Sequence, residues 1–449
     1  PSAMALAISQ AARQHDGLIL AIARDTHAAS ALENDLRIVA DDLPLLHFPD
    51  WETLPYDLFS PHPDIVSQRI AALYRLPSIK RGILVVPVAS LMQRVSPPEW
   101  IAGNVLDLRK GQKLDLDQEK RRLEASGYRN VPQVNDPGDF AVRGALLDLY
   151  PMGSDVPYRI ELFDDEIDSL RSFDPETQRS DHPVESVRLL PAREFPLDAA
   201  GTKKARQNLS EQFEFDARRC TIYQDLKEGV APNGIEYYLP LFFDQTASLF
   251  DHLPKNSLII SGDGVEHSAE SFWQQTSERW EQRRHDVERP ILSPTQLFLS
   301  PDELRAQCNQ RLRIEICGDQ HPQYSKAIAI AEQTVPSLPW TQKNELPGAA
   351  LQSFLKNYPG RVLLAADSAG RREALLELLN AAGLPFHQVP DWPSFLNDND
   401  HKLSATVAAF EAGFAIDSPM LTVLTERQLF PERVEQSRRR KRVGRDPES

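Results

Sequence analysis

Two stretches of the sequence combine residue types that could take part in phosphoryl transfer. Residues 365–371 (Ala-Ala-Asp-Ser-Ala-Gly-Arg) follow an apolar run, where a phosphate-binding loop would open a helix. They contain one glycine and no lysine, so we interpret Ser368 as a helix N-cap. Residues 164–166 (Asp-Asp-Glu) could hold magnesium, but acidic residues are ordinary in a turn between strands. Because the chain also has no Gly-Lys-Ser or Gly-Lys-Thr triplet, we expect no ATP hydrolysis, no catalytic residue and no cofactor.

Other catalytic and metal-binding patterns are also missing from the sequence. His62 stands between two prolines without ligands at metal spacing, and we interpret it as a surface residue. There is no Gly-x-Ser-x-Gly or His-Glu-x-x-His motif. Cys220, Cys308 and Cys317 lack both metal spacing and an even pairing, which predicts reduced structural thiols in a cytoplasmic protein. The sequence therefore predicts no metal site.

Residues 158–163 (Tyr-Arg-Ile-Glu-Leu-Phe) contain the types that anchor protein interfaces. In a strand, Arg159, Glu161 and Phe163 share one face, while the isoleucine and leucine between them point to the other. With Arg143 on another predicted strand, an aromatic ring would lie beside two arginines that face solvent and could bind partner carboxylates. The alternative is a solvated face with an Arg159–Glu161 pair and with Phe163 under a loop.

The elements that position these residues follow three patterns along the chain. Apolar runs alternate with helical patterns near the N-terminus, which predicts a parallel sheet covered on both faces. The runs predicted as strands there are 18–23, 45–48 and 83–88, and the helices are 26–38 and 65–76. Closely spaced strands separated by turns then predict an inserted antiparallel β domain: 140–143, 145–150, 158–163 and 167–173.

The rest of the chain returns to a mixed α/β pattern. Strands are predicted at 258–261 and 312–316, with a helix at 268–285. Thr334–Gly348 carries three prolines among polar residues and is predicted to be a linker. A last α/β unit follows, with strand 362–366, helix 368–382 and strand 420–425.

Composition limits the classes of function. The 449 residues are 41% hydrophobic and 26% charged, which is typical of a globular protein with several domains. The net charge of −15 disfavours a general duplex-DNA binder, because phosphate contacts need clustered basic residues. The basic run Arg438–Arg442 is predicted to be a solvated linker rather than a nucleic-acid contact. No signal peptide precedes the first strand. Because no initiator methionine stands at position 1 and the chain ends in the mostly polar run 442–449, we expect a piece of a longer protein.

Several segments, in order along the chain, resemble bacterial transcription-repair coupling factors. The segments are 50–57 with 59–62, 81–88 with 91–95, 143–151, 158–159, 163–170 and 234–238, with a fainter similarity from 371 onwards. Those from 143 to 170 are similar to a domain that the family shares with UvrB. The resemblance implies a multidomain α/β fold: a degenerate helicase-type, P-loop NTPase-like parallel-sheet domain, an inserted antiparallel β-rich domain, and a separate small α/β domain. 

The same resemblance implies domain boundaries. They are 1–105 for the UvrB-like domain 1a without its nucleotide site, 106–189 for domain 2, 190–333 for domain 1b, 334–348 for a linker, 349–436 for domain 3, and 437–449 for a basic linker. Domain 3 has no well-defined catalytic role in the family.

The function that the resemblance implies is that of an adaptor. Domain 2 would bind UvrA and recruit it to a stalled RNA polymerase, and a distant C-terminal domain would mask this surface in the intact protein. The polymerase-binding and DNA-translocating domains would lie beyond this chain. Positions matching Arg143, Arg159 and Phe163 form the implied UvrA contact, and Asp165, Glu166 and Arg171 are weaker candidates nearby.

Two other functions remain as alternatives. The first is a truncated UvrB-like ATPase that clamps DNA. UvrB carries a long tyrosine-rich hairpin after the region matching Tyr56 and Asp57, whereas here Phe59 leads through residues 60–63 directly into a helix. The second is a general DNA-binding scaffold, which predicts a strongly salt-dependent affinity for duplex DNA.

Overall fold

The computed structural model describes residues 2–317, 332–333, 335–341, 346–417 and 420–430. The chain divides into two compact units. The C-terminal unit comprises residues 1–10, 30–42 and 321–449, and the main unit comprises residues 11–29 and 43–320. The basic run Arg438–Arg442 lies outside the described residues. Among the described helices, none has the length and apolar content needed to cross a membrane.

The main unit is built on a five-stranded parallel sheet. Its strands, in spatial order, are Leu312–Glu315, Leu258–Ser261, Leu18–Ala23, Gly82–Pro87 and Leu45–His47. Every residue of Leu18–Ala23 and Gly82–Pro87 is buried, because helices cover both faces of a parallel sheet. The prediction of buried parallel strands from continuous apolar runs is therefore confirmed.

A second sheet of the main unit, the inserted sheet, has six strands. In spatial order they are Ser180–Pro183, Glu166–Phe173, Tyr158–Phe163, Leu146–Leu149, Asp139–Arg143 and Arg129–Asn130. All neighbours are antiparallel except the last pair, which is parallel. One face packs against the helices Leu116–Ala125 and Pro63–Arg75. The strands Leu106–Arg109 and Ser186–Leu189 pair with each other where the chain enters and leaves this region.

The C-terminal unit contains a six-stranded mixed sheet. Its strands, in spatial order, are Glu332–Gln333, Phe414–Asp417, Met420–Thr425, Arg361–Ala366, Leu403–Val407 and His387–Gln388. The helices among its described residues after 320 are Ala349–Asn357, Ala369–Ala381, Trp392–Asn397 and Glu426–Leu429. Leu338 and Trp340 lie in the predicted linker, yet both are buried in the core of this unit. Their backbone N–H groups donate to the carbonyls of Gln428 and Leu429, so the described part of that segment belongs to the unit.

The other described elements are helices, two 3-10 turns and one two-residue strand pair. The helices are Ser2–Gln14, Thr26–Val39, Pro63–Arg75, Val88–Leu91, Pro98–Gly103, Leu116–Ala125, Ala199–Gln212, Thr221–Lys227, Leu249–His252, Val265–Arg283, Pro294–Leu297 and Pro301–Asn309, with 3-10 turns at Leu76–Ser78 and Ile235–Phe242. A two-residue strand pair joins Arg94–Val95 to Ala247–Ser248. The helix that was predicted at 268–285 begins earlier, at Val265.

Gly153 sits where the inserted sheet meets the helix Pro63–Arg75. Its φ is +77°, and a β-carbon there would approach the β-carbon of Ala71 to 2.9 Å. We expect Gly153→Ala to lower the free energy of unfolding by about 1 kcal/mol or more, because it adds a clash to an unfavourable backbone conformation. Urea unfolding measures this. Gly229→Ala is the control, since Gly229 has a φ of +75° but no neighbour within 4 Å. Equal losses in the two variants would contradict the expected effect of the contact.

Candidate docking surface

The strand Tyr158–Phe163 displays the alternation that the sequence predicted. Ile160 is completely buried in the core beneath the inserted sheet, and Leu162 is half-buried on the same side. Phe163 ends the strand on the opposite face, and 75% of its surface is exposed. A large apolar ring exposed to this degree buries little apolar surface in the folded chain, so it can bury that surface against a partner.

We expected Arg159 to face solvent, but the structure shows that its side chain is mostly buried. Its Nε and Nη2 donate to the two carboxylate oxygens of Asp148, at 2.7 and 2.9 Å, and only 17% of its side chain is exposed. The guanidinium also lies 5.0 Å from the ring centre of Phe173. The hydrogen bonds to Asp148 raise the pKa of Arg159. Arg159 thus holds neighbouring strands together and offers little of its side chain to a partner.

The alternative arrangement of this face is also wrong in its details. Glu161 accepts a hydrogen bond from Ser169 Oγ at 2.8 Å, whereas the carboxylate that binds Arg159 is Asp148. Phe163 is exposed rather than covered by a loop. The position of Asp148 explains the difference, because it lies directly opposite Arg159 on the adjacent strand.

Arg143 lies at the same end of the inserted sheet as Phe163. It is exposed at the end of its strand, and its Nη2 donates to the carbonyl of Pro132 at 2.8 Å. The backbone N–H of Leu162 donates to the carbonyl of Ala145, at 2.9 Å, so the turn after Arg143 runs alongside the end of the Phe163 strand. Residues that are 20 positions apart in sequence are therefore brought to one edge.

An acidic turn follows Phe163 at this edge. Asp165 forms an ion pair with Lys113 at 2.9 Å, and this contact lowers the pKa of the Asp165 carboxyl. The backbone N–H of Leu114 donates to the carbonyl of Asp165 at 2.7 Å, and this hydrogen bond restrains the turn. Glu166 is exposed and lies opposite Phe163 in the hairpin. Sequence reasoning missed Lys113, because it precedes the turn by about 50 residues and only the fold brings it there.

Arg171 lies further from this edge than the other candidates. It is exposed, and it sits opposite Arg159 on one side and Pro183 on the other. The structure therefore gathers Arg143, Phe163, Asp165 and Glu166 at one end of the sheet, which we call the docking edge. An exposed aromatic ring between charges of both signs suits recognition of another protein, with apolar burial for affinity and the charges for orientation.

The inserted sheet lies in the part of the chain that matches a family model. Residues 106–195 match the UvrB interaction domain, and residues 354–429 match the MFD, D3 domain. The first match contains the whole docking edge and the region that we predicted as a domain over 106–189. The second falls within the C-terminal unit.

Transcription-repair-coupling factors of several bacteria match over all or nearly all of the chain. The transcription-repair-coupling factor of Haemophilus influenzae is 39% identical over 453 residues, which cover 100% of this chain and 39% of that protein. The factor of Escherichia coli K12 is 39% identical over 450 residues, with the same coverage. The factor of Bacillus subtilis is 26% identical over 98% of this chain and 38% of its own length. The chain thus spans about two fifths of the length of these relatives.

Proposed function

The chain belongs to the family of transcription-repair-coupling factors, and on this premise we propose that it is a non-catalytic adaptor whose inserted sheet recruits UvrA. The observation that carries the proposal is the docking edge, where Phe163 is 75% exposed within the region matching the UvrB interaction domain. Arg143, Asp165 and Glu166 surround it with charges that orient a partner. UvrA bound there would be delivered to a stalled RNA polymerase.

The first strand of the parallel sheet supports a non-catalytic role. In a helicase-type domain, a phosphate loop would follow this strand. Here the next residues are Arg24 and Asp25, and Asp25 Oδ1 accepts the N–H of Ala28 at 2.7 Å. A carboxylate thus takes up an N–H donor that a phosphate would need, and its charge repels one. We propose that this domain is helicase-type in its architecture but does not bind nucleotide.

Ser368 has a comparable role in the C-terminal unit. Its hydroxyl accepts the N–H of Arg371 at 3.4 Å and caps the helix Ala369–Ala381. The interpretation of this residue as an N-cap is confirmed. The strand–turn–helix around residues 365–371 therefore has a local structural explanation and does not require a phosphate ligand.

For the intact, longer protein, the proposal also includes RNA polymerase and DNA as partners. Polymerase binding and DNA translocation would lie in the part of the relatives that this chain does not span. In the intact protein a C-terminal domain would cover the docking edge, and release would shift the population towards an open form. A protein made of residues 1–449 alone would present the docking edge without such a cover.

A titration of the chain with purified UvrA tests the adaptor proposal. We expect saturable binding, and we expect intact resting protein to bind more weakly, because part of its population is closed. A parallel titration with an ATP analogue separates the UvrB-like alternative. Nucleotide binding without UvrA binding would overturn the proposal in favour of that alternative, and absence of UvrA binding alone would also overturn it.

A further inference from the structure

Two histidines and one aspartate form a cluster in the C-terminal unit, far in sequence from the docking edge. His387 Nδ1 lies 2.7 Å from Asp398 Oδ2, and His401 Nδ1 lies 2.8 Å from Asp398 Oδ1. The imidazole rings are stacked, with their centres 4.0 Å apart. One potential ligand atom from each residue lies within 4.8 Å of the other two. The three side chains are therefore close enough to bind one cation between them once the imidazole nitrogens are deprotonated.

The three residues come from two segments, the strand His387–Gln388 and the loop between the helix Trp392–Asn397 and the strand Leu403–Val407. His387 begins the strand His387–Gln388, and it pairs with Ser404 of the neighbouring strand. Asp398 follows the helix Trp392–Asn397, and His401 lies in the loop that leads to Leu403. Backbone pairing therefore fixes His387 against the strand that directly follows the loop carrying Asp398 and His401.

Further contacts orient the carboxylate of Asp398. Ser404 Oγ donates to Asp398 Oδ2 at 3.3 Å, and Arg361 Nη1 donates to the Asp398 carbonyl at 2.6 Å. The Asp398 side chain is only 9% exposed, whereas the histidines are 45% and 48% exposed. Lys402, the nearest lysine in sequence, donates to the carbonyl of Tyr358 and not to the carboxylate of Asp398. The carboxylate is thus held in place, and the imidazoles leave a path to solvent.

The coordinating atoms of the three side chains determine which class of metal ion the cluster would bind. Imidazole nitrogen suits zinc, copper, nickel and iron, whereas magnesium and calcium prefer oxygen ligands alone. Two histidines with one carboxylate leave a position for water, as in zinc sites with three protein ligands. Ser404, which donates to the Asp398 carboxylate, corresponds to the outer partner that orients a ligand of such a site, and Arg361 holds the backbone of Asp398.

We propose that His387, Asp398 and His401 form a binding site for a zinc-like divalent cation in the C-terminal unit. The ion would join the strand His387–Gln388 to the loop 398–401 and stabilise this unit. The site is independent of the proposed recruitment of UvrA. From the sequence we predict no metal site, because the separation of 14 residues between His387 and His401 matches no recognised spacing of metal ligands.

Isothermal titration of the chain with ZnCl₂ tests the site, and thermal unfolding with and without zinc provides a second readout. We expect one zinc ion per chain and a higher melting temperature of the C-terminal unit in its presence. His401→Ala should weaken binding by more than about 100-fold, and Ser404→Ala by about 10-fold, as for outer partners. His401 is half exposed, so its variant should fold, and far-ultraviolet circular dichroism verifies this.

His182→Ala is the matched control. His182 Nε2 lies 3.3 Å from Asp181, so it also forms a histidine–aspartate pair, but it lies outside the cluster. This variant should bind zinc as the parent chain does. The proposal is overturned if the parent chain takes up no zinc at micromolar concentration, or if a folded His401→Ala variant binds as tightly as the parent.

Discussion

Replacement of Phe163 by alanine is expected to weaken binding to UvrA by about 30-fold or more. Hot-spot aromatic residues contribute about 2 kcal/mol or more when truncated, and this corresponds to the stated factor. The ring is 75% exposed, so its removal leaves no cavity in the fold. The variant should therefore keep the parent's unfolding transition while the dissociation constant for UvrA rises. Titration calorimetry and thermal unfolding of the same samples measure both quantities.

Phe59→Ala provides the matched control for this experiment. Phe59 is the same residue type with a similar exposure, 71%, and it lies outside the inserted sheet. It should bind UvrA as the parent chain does. Unchanged binding of Phe163→Ala would exclude the docking edge as the contact, and equal losses in both variants would indicate nonspecific apolar association.

Charge variants at this surface need a choice between two arginines. Arg143 is exposed, and its removal costs the fold one hydrogen bond to a backbone carbonyl. Arg159, by contrast, neutralises Asp148, whose side chain is only 4% exposed. A substitution Arg159→Glu would place two carboxylates together and destabilise the sheet, so weaker UvrA binding by that variant would not identify a contact. Arg143→Ala is the more informative partner for Phe163→Ala.

The alternation in residues 158–163 could be predicted because a strand has a fixed period of two residues. It placed Ile160 in the core and Phe163 on the opposite face, as the structure has them. The partner of Arg159 could not be predicted in the same way. It depends on the register between two strands, and this register follows from the turn and the packing of the whole sheet.

Two further differences have a similar origin. Leu338 and Trp340 were assigned to a linker because prolines and polar residues surround them, yet both side chains enter a core formed by residues much later in the chain. His387, Asp398 and His401 have no recognised spacing, and only the sheet of the C-terminal unit places them together. Local patterns predict local structure, whereas these contacts depend on tertiary packing.

The segment around Trp51, which contributed to the family resemblance, has a structural explanation. The ring of Trp51 packs edge-on against Tyr237 at 5.3 Å, and the Tyr237 hydroxyl donates to the carbonyl of Leu54 at 2.8 Å. Tyr237 belongs to another segment of the same resemblance. The two segments therefore pack against each other, and the Trp51 ring also lies 4.9 Å from the guanidinium of Arg69.

Glu194→Ala is expected to lower the free energy of unfolding of the main unit by about 3–5 kcal/mol. Arg69 is completely buried, and its Nε donates to Glu194 Oε1 at 2.7 Å. Its Nη1 donates to the carbonyl of Pro49, and its guanidinium lies 4.2 Å from the ring of Phe48. Removal of the carboxylate leaves a buried cation without a counter-charge, which is the costly way to break an ion pair. Urea unfolding followed by tryptophan fluorescence measures the loss.

The double variant Arg69→Met with Glu194→Leu tests this explanation. Replacement of both charges by apolar side chains of similar volume removes the cost of desolvation together with the attraction, so most of the lost stability should return. Phe48 and Trp51 already provide an apolar surface for the new side chains. If the double variant is as unstable as Glu194→Ala, the instability arises from lost packing around Glu194, and the uncompensated charge of Arg69 is not its cause.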